Sequence, residues 1–185
     1  MQLLSVLKSQ KGFTLVELIA VTSITGLLLV LVSSIFVQII QSNTRATVAN
    51  DIREQGQFII ENVVRAIRNA ESVTAPGGVT TGKVLSITVT SSGVSDTYSL
   101  TCISNNPSIT KNGQQLNTTK ILTSVNCDGS VDTSKSYFEM IPPVAGAPAA
   151  VRFNLVLETT GTQIHREYIG KQTLTQLVTL RTYAR

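Results

Sequence analysis

Residues 18–40, LIAVTSITGLLLVLVSSIFVQII, contain no charged side chain. As a helix rising about 1.5 Å per residue, this stretch is long enough to cross a hydrocarbon core of about 30 Å. Lys8 and Lys11 lie ahead of it, and positive charge on that side favours a cytoplasmic N-terminus with the remainder outside. A secretory signal has a shorter apolar core followed by a small-residue cleavage site. Here the run is too long, and the sequence that closes it, IFVQIIQSNT, has no A-x-A pattern. A plain membrane anchor fits the length but gives no use for Glu17, whose carboxylate stands at the head of the apolar run. A carboxylate costs about 2.5–3.5 kcal/mol at the bilayer centre and less near the interface.

The residues around that carboxylate, Lys11-Gly12-Phe13-Thr14-Leu15-Val16-Glu17-Leu18, resemble the prepilin signature of type IV pilins and type II secretion pseudopilins. The shared pattern is a short basic leader ending in Gly, then Phe, three residues, Glu, and an apolar helix. The resemblance implies a leader over residues 1–12, cut after Gly12 on the cytoplasmic side by a membrane prepilin peptidase, and methylation of the new Phe13 amine. The chemistry of each position agrees. A glycine before the scissile bond lets a protease approach the backbone closely. Removal of Lys8 and Lys11 leaves the mature helix head with one cation, the Phe13 amine, and one anion, Glu17. When subunits stack helix on helix, Glu17 can pair with a neighbour's Phe13 ammonium. An unpaired buried carboxylate is costly, so this pairing would favour one axial register. The plainer alternative is that Glu17 sits at the interface in water.

The helical pattern continues past the membrane. Val48, Ile52, Ile59, Val63, Ile67 and Ala70 recur at three- and four-residue steps, while Arg53, Gln57, Glu61, Arg65 and Arg68 take other faces. No proline occurs between Phe13 and Ala75, and Pro76-Gly77-Gly78 is a stop. The pattern predicts one helix over about 13–72, with an apolar half (13–40) for lipid or filament core and an amphipathic half (41–75). The stripe through Val48, Ile52, Ile59 and Val63 is expected to be shared between the chain's own sheet and partner helices. Gly26, with Thr22, Ser23 and Thr25, allows close backbone approach and interhelical hydroxyl bonds, or is simply tolerated. Many type IV pilins carry a helix-breaking proline further along; Ser34 stands about there in this chain.

After Gly78 the period moves toward two. Strands are predicted over 83–90, 95–102, 108–111, 120–125, 137–141, 151–157 and 173–181, with loops at 142–150 and 161–170. The fold class expected is α+β: a long N-terminal helix packed on an antiparallel β-sheet domain (76–185), as in pilins. The run QFIIENVVRAIRNAES at 57–72, with VRFNLVLET and the terminal TLTQLVTLRTYAR, resembles J-type minor pseudopilins and W-type minor pilins. Glu17 speaks against the K-type tip pseudopilin, which typically lacks that acid. These resemblances imply a minor subunit that initiates or tips a pseudopilus or pilus. Its partners would be other minor and major subunits, the prepilin peptidase and the inner-membrane assembly platform.

Cys102 and Cys127 are an even pair in a domain expected to be exported, which suggests one bridge; free thiols are the alternative. Asn126, Asp128, Ser130 and Asp132 alternate oxygen ligands faintly like a calcium loop. However, Val131 replaces the required glycine and Tyr137 the closing acid, so a solvated turn is the better reading. His165 sits in a polar loop without a nucleophile context. With no Trp, one His and eleven acids, the chain offers no dense catalytic centre. No catalytic residue, metal ligand or cofactor is assigned, and the chain reads as no enzyme. Only 14% of residues are charged, against about 25% in an average soluble domain. The 18 serines and 24 threonines therefore supply much of the polar surface. The cations are scattered, without aromatic interleaving, which argues against nucleic acid. A DNA- or cargo-binding minor pilin is the runner-up function.

Overall fold

A computed structural model describes residues 12–118, 120–144, 148–159 and 170–180. Lys8, Lys11, most of the leader, His165 and the end of the last expected strand lie outside the described residues. The first element is one helix, α1 (Leu15–Arg68), followed by strands and no further α-helix among the described residues. The α+β arrangement expected from the sequence is the one observed. The chain divides into two compact units, Met1–Asn43 and Thr44–Arg185.

In the first unit α1 is apolar on every side, and all of its side chains up to Ile40 are exposed. It is long and apolar enough to cross a membrane. Its hydroxyls bond back to its own carbonyls. Thr22 Oγ1 donates to the oxygen of Leu18 at 2.9 Å, Ser23 Oγ to Ile19 at 2.8 Å, Ser33 Oγ to Leu29 at 2.7 Å and Ser34 Oγ to Leu31 at 2.8 Å. Such back-bonding satisfies a donor where lipid offers no partner. In this chain Thr22 and Ser23, expected to offer interhelical bonds, use their donors within the helix.

In the second unit the helix continues over 44–68 and buries Ile52, Gly56, Ile59, Val63, Val64 and Ile67. Five strands form one antiparallel sheet in the order β1 (Ser72–Thr74), β3 (Ser86–Ser91), β4 (Val94–Ile103), β5 (Asn106–Lys111), β6 (Gln114–Gln115). The second sheet runs β10 (Lys171–Thr179), β9 (Ala150–Thr159), β8 (Tyr137–Ile141), β2 (Gly82–Val84), with β7 (Ile121–Thr123) also paired to β9. The hairpins of the first sheet close on two-residue turns. Ser92 and Gly93, like Asn112 and Gly113, all have positive φ, the twist that tight hairpins require. The core joins Ile59, Val63 and Ile67 to Ile87, Tyr98, Ile109, Phe138, Phe153 and Leu155. Phe138 and Phe153 stack with ring centroids 4.6 Å apart.

Three departures from the sequence pattern have local causes. The helix stops at Arg68, short of residue 72, and Ser72–Thr74 becomes β1, paired with Thr88–Thr90 of β3. Ser91 Oγ donates to the carbonyl oxygen of Asn69 at 2.9 Å and the Glu71 amide donates to Thr90 O at 2.8 Å. The chain past Asn69 therefore exchanges helical bonds for sheet bonds. The single strand expected over 83–90 is two strands in different sheets. Val84 and Ile87 are three residues apart, so the period-two pattern slips by one at Leu85, where the chain changes sheets. Finally, Ile52, Ile59 and Val63 are at most 2% exposed within the chain's own domain. At those positions the stripe is not shared with partner helices.

At Gly56, α1 packs closely on β9 and β10. A Cβ there would lie 3.1 Å from Leu157 Cδ1 and closer still to Leu174 Cδ1. Gly56→Leu should cost about 1–3 kcal/mol by overpacking. Gly56→Ala should stay within about 1 kcal/mol of wild type, because helix propensity offsets the displacement of the Leu174 tip. Thermal unfolding of the full chain in detergent separates the two.

One polar clamp joins β4 to β5. Asp96 accepts from Lys111 Nζ at 2.8 Å and from Asn112 Nδ2 at 2.7 Å, while Thr97 N donates to Asn112 Oδ1 at 2.7 Å. The Lys111 bond, then the Asn112 bond, hold the Asp96 carboxyl below its ordinary value of 3.8. A lowered carboxyl pKa stabilises the fold above the unfolded value, and that contribution is lost as pH falls through the folded one. Asp96→Asn should therefore lower the unfolding free energy near neutral pH by a partly exposed pair's worth, under about 1 kcal/mol. The gap to wild type should close as the pH is taken through the acid range.

Candidate functional site

The residues at the head of α1 are arranged by local bonds. Residues 12–14 are outside the helix and exposed, with Phe13 at 81%. Thr14 is the cap. Its Oγ1 accepts from the Glu17 amide at 3.3 Å, and its carbonyl oxygen accepts the first helical bond, from Leu18 N at 3.2 Å. Glu17 reaches back: its Oε2 accepts from the Thr14 amide at 3.3 Å and from the Thr14 hydroxyl at 3.2 Å. This is a reciprocal capping box, in which each side chain satisfies an amide that the first turn would otherwise leave bare. A negative side chain in the first turn also complements the helix dipole.

From the sequence, Glu17 is expected to pair with a neighbour's amine or to sit in water at the interface; in the structure its partner is Thr14, three residues away. The signal was present, since Thr14-x-x-Glu17 ahead of an apolar run is the capping-box pattern. Gly12 is open, and a Cβ there would meet nothing within 4 Å. A side chain at position 12 is therefore no burden to the chain itself; any restriction there belongs to whatever docks on it.

In the β domain Cys102 and Cys127 form a disulfide with Cα atoms 5.4 Å apart, inside the span such a bridge allows. It joins the end of β4 to the segment after β7. That segment, 126–135, is a run of side-chain turns. Asp128 Oδ1 accepts from Ser130 Oγ and N at 2.7 and 2.8 Å. Asp132 Oδ1 accepts from Ser134 N and Oγ, both at 2.8 Å. Ser130's hydroxyl lowers the Asp128 carboxyl most and Ser134's amide the Asp132 carboxyl most. Asn126 bonds Ser130 Oγ at 2.8 Å and receives Lys135 Nζ. These bonds build a solvated turn. Among the described residues no group of three His, Cys, Asp or Glu side chains could hold a metal ion.

Residues 7–33 match the family model described as the prokaryotic N-terminal methylation motif. No curated protein and no solved structure matches the chain at a significant level. The motif covers Gly12, Phe13, Glu17 and about two thirds of the apolar run, and it supports the pilin and pseudopilin superfamily. The long helix with antiparallel sheets is consistent with the pilin fold. Together they point to a structural subunit rather than an enzyme, assembling with other pilin-type subunits after prepilin peptidase processing. The apolar helix fits a single-pass protein anchored in the inner membrane.

The bridge closes a loop with a sequence separation of 25, which by loop-closure entropy is worth about 3–4 kcal/mol. Replacing Cys102 and Cys127 together by Ser should lower the unfolding free energy by that amount. Reductant should move wild type toward the double variant and leave the variant unchanged.

Proposed function

We propose that this chain is a minor subunit, pseudopilin or pilin, of a filament machine, of the J-type or W-type kind, and that it helps nucleate the filament and stays at its tip. One observation carries the pilin-type part of this reading: a motif-bearing head, residues 12–17, on a helix that is apolar on every side and wholly exposed up to Ile40. Such a helix has only lipid or other helices to bury against. Residues 1–12 are the leader, 13–40 the membrane and filament-core segment, and 76–185 the body of the extracytoplasmic domain. The peptidase cuts after Gly12, the Phe13 amine is methylated, and the N-terminus faces the cytoplasm.

In the filament, Glu17 exchanges its bonds to Thr14 for a neighbour's Phe13 ammonium. The neighbour's ammonium brings a full opposite charge where the Thr14 amide and hydroxyl bring only dipoles, and that difference grows where water is excluded. The β domain gives little support to a DNA-binding role. Lys111, Arg152 and Lys171 are each paired, with Asp96, Glu139 and Glu158 respectively.

The test is made on purified filaments. Subunit counting should place this chain at a few copies beside a far more abundant shaft subunit, beginning at a methylated Phe13. Glu17→Ala should insert into the membrane normally, since the helix becomes more apolar, yet be depleted from filaments at least ten-fold. Abundance along the shaft would remove the tip assignment, and wild-type incorporation of Glu17→Ala would remove the charge-pair mechanism.

A further inference from the structure

We infer that Thr14 is a positioning residue for leader removal: by fixing the helix start at Leu15 it keeps the Gly12–Phe13 peptide out of the helix and open to a peptidase. The inference rests on the processing reading above and deepens it. Hydrolysis at this peptide adds water to the Gly12 carbonyl carbon and breaks its bond to the Phe13 nitrogen, leaving a carboxylate on Gly12 and an amine on Phe13. The attacked carbonyl has to be accessible. In a helix it is not, because each carbonyl accepts from the amide four residues on and is sheathed by the next turn.

The bonds at the helix head show what prevents that. If α1 grew by one residue, the Glu17 amide would have to bond the Phe13 carbonyl; by a second, the Val16 amide would bond the Gly12 carbonyl, the scissile group itself. Thr14 Oγ1 already occupies the Glu17 amide at 3.3 Å, and Glu17 Oε2 holds the Thr14 amide and hydroxyl in the capped arrangement. Residues 12–14 are non-helical and exposed beyond that point. The apolar run behind them has no other stop signal on this side, since Phe13, Leu15 and Val16 are all compatible with a helix. Gly12 opposes winding only through its own backbone entropy. The hydroxyl of Thr14 therefore decides how far the helix extends toward the cut.

The consequence is specific in kinetic form. An N-cap threonine replaced by alanine typically shifts the cap equilibrium about five-fold. When only a fraction of the substrate is in the competent conformation, apparent affinity falls by that fraction while the bound, competent form reacts as before. Full-length wild-type chain and variants in detergent are incubated with a prepilin peptidase, and initial rates of leader loss are followed by intact mass. Thr14→Ala should raise KM, by up to about five-fold where the uncapped, wound form predominates in the variant, with kcat within about two-fold. Thr14→Ser, which keeps a capping hydroxyl, should match wild type.

The double variant Thr14→Ala with Leu15→Pro should regain the wild-type KM. A proline at the first helical position restores the stop through the backbone, holding residue 14 extended. Thr14→Ala processed with wild-type KM overturns the inference. So does a double variant that stays as slow as Thr14→Ala, since the enzyme would then be reading the hydroxyl and not the helix start. Wild type left uncut between Gly12 and Phe13 overturns the processing reading beneath, and this inference with it.

Discussion

The backbone hydrogen-bond ladder of α1 (Leu15–Arg68) is the constraint on which the other features rest. In lipid an unpaired amide or carbonyl costs several kcal/mol, so the apolar part of the chain has to be an unbroken helix with closed ends. The capping box of Thr14 and Glu17 closes the first turn, and the hydroxyls of Thr22, Ser23, Ser33 and Ser34 are absorbed by carbonyls one turn back. Further along, the same ladder serves another solvent. From residue 44 the helix is a scaffold that gives one face to the sheets and keeps Arg53, Glu54, Glu61 and Arg65 in water. No change of secondary structure marks the transition; only the side chains change.

Inside the domain the helix stripe and two sheets share one apolar core, and a few polar residues fix how the sheets are tied. Asn117, 5% exposed, accepts the Ile109 amide at 3.0 Å and donates to Ile121 O at 2.6 Å. It thereby joins β5 of one sheet to β7 of the other. Ser136, 1% exposed, both donates to and accepts from Val156 across the second sheet. Most buried polar groups in folded proteins are satisfied in this way. The result is a crossover with one geometry, which the disulfide from β4 to the segment after β7 reinforces covalently.

Much of this was legible in the sequence because it depends on period and punctuation. The apolar run, the helix stripe and the strands each occupy their own stretch, and Gly93 marks a turn that only φ above zero permits. What was not legible depends on competition between partners distant in the chain. Residues 69–74 keep a helical period, but Thr90 and Ser91, some twenty residues later, take their hydrogen bonds. The switch of sheets at Leu85 was legible in principle, as a slip of phase between Val84 and Ile87, but only with both sheets in view. At the candidate site, Gly12, Phe13 and Glu17 were visible as part of a motif. The Thr14 cap was hidden by attention to what Glu17 could find outside the chain.

The abundance of serine and threonine has its own outcome on β3 and β4. Ser86 faces Ser99 at 3.1 Å, Thr88 faces Thr97 at 3.2 Å and Thr90 faces Ser95 at 2.9 Å. They form a column of hydroxyl pairs on the side of the sheet opposite Ile87 and Val89. Neutral dipoles bonded to one another have no counterions to gather or release. Ion pairs between exposed charges fade as the screening length shrinks to a few ångströms in concentrated salt; these contacts do not. Changes of salt and acidity around the domain therefore find nothing on this face of it to act on.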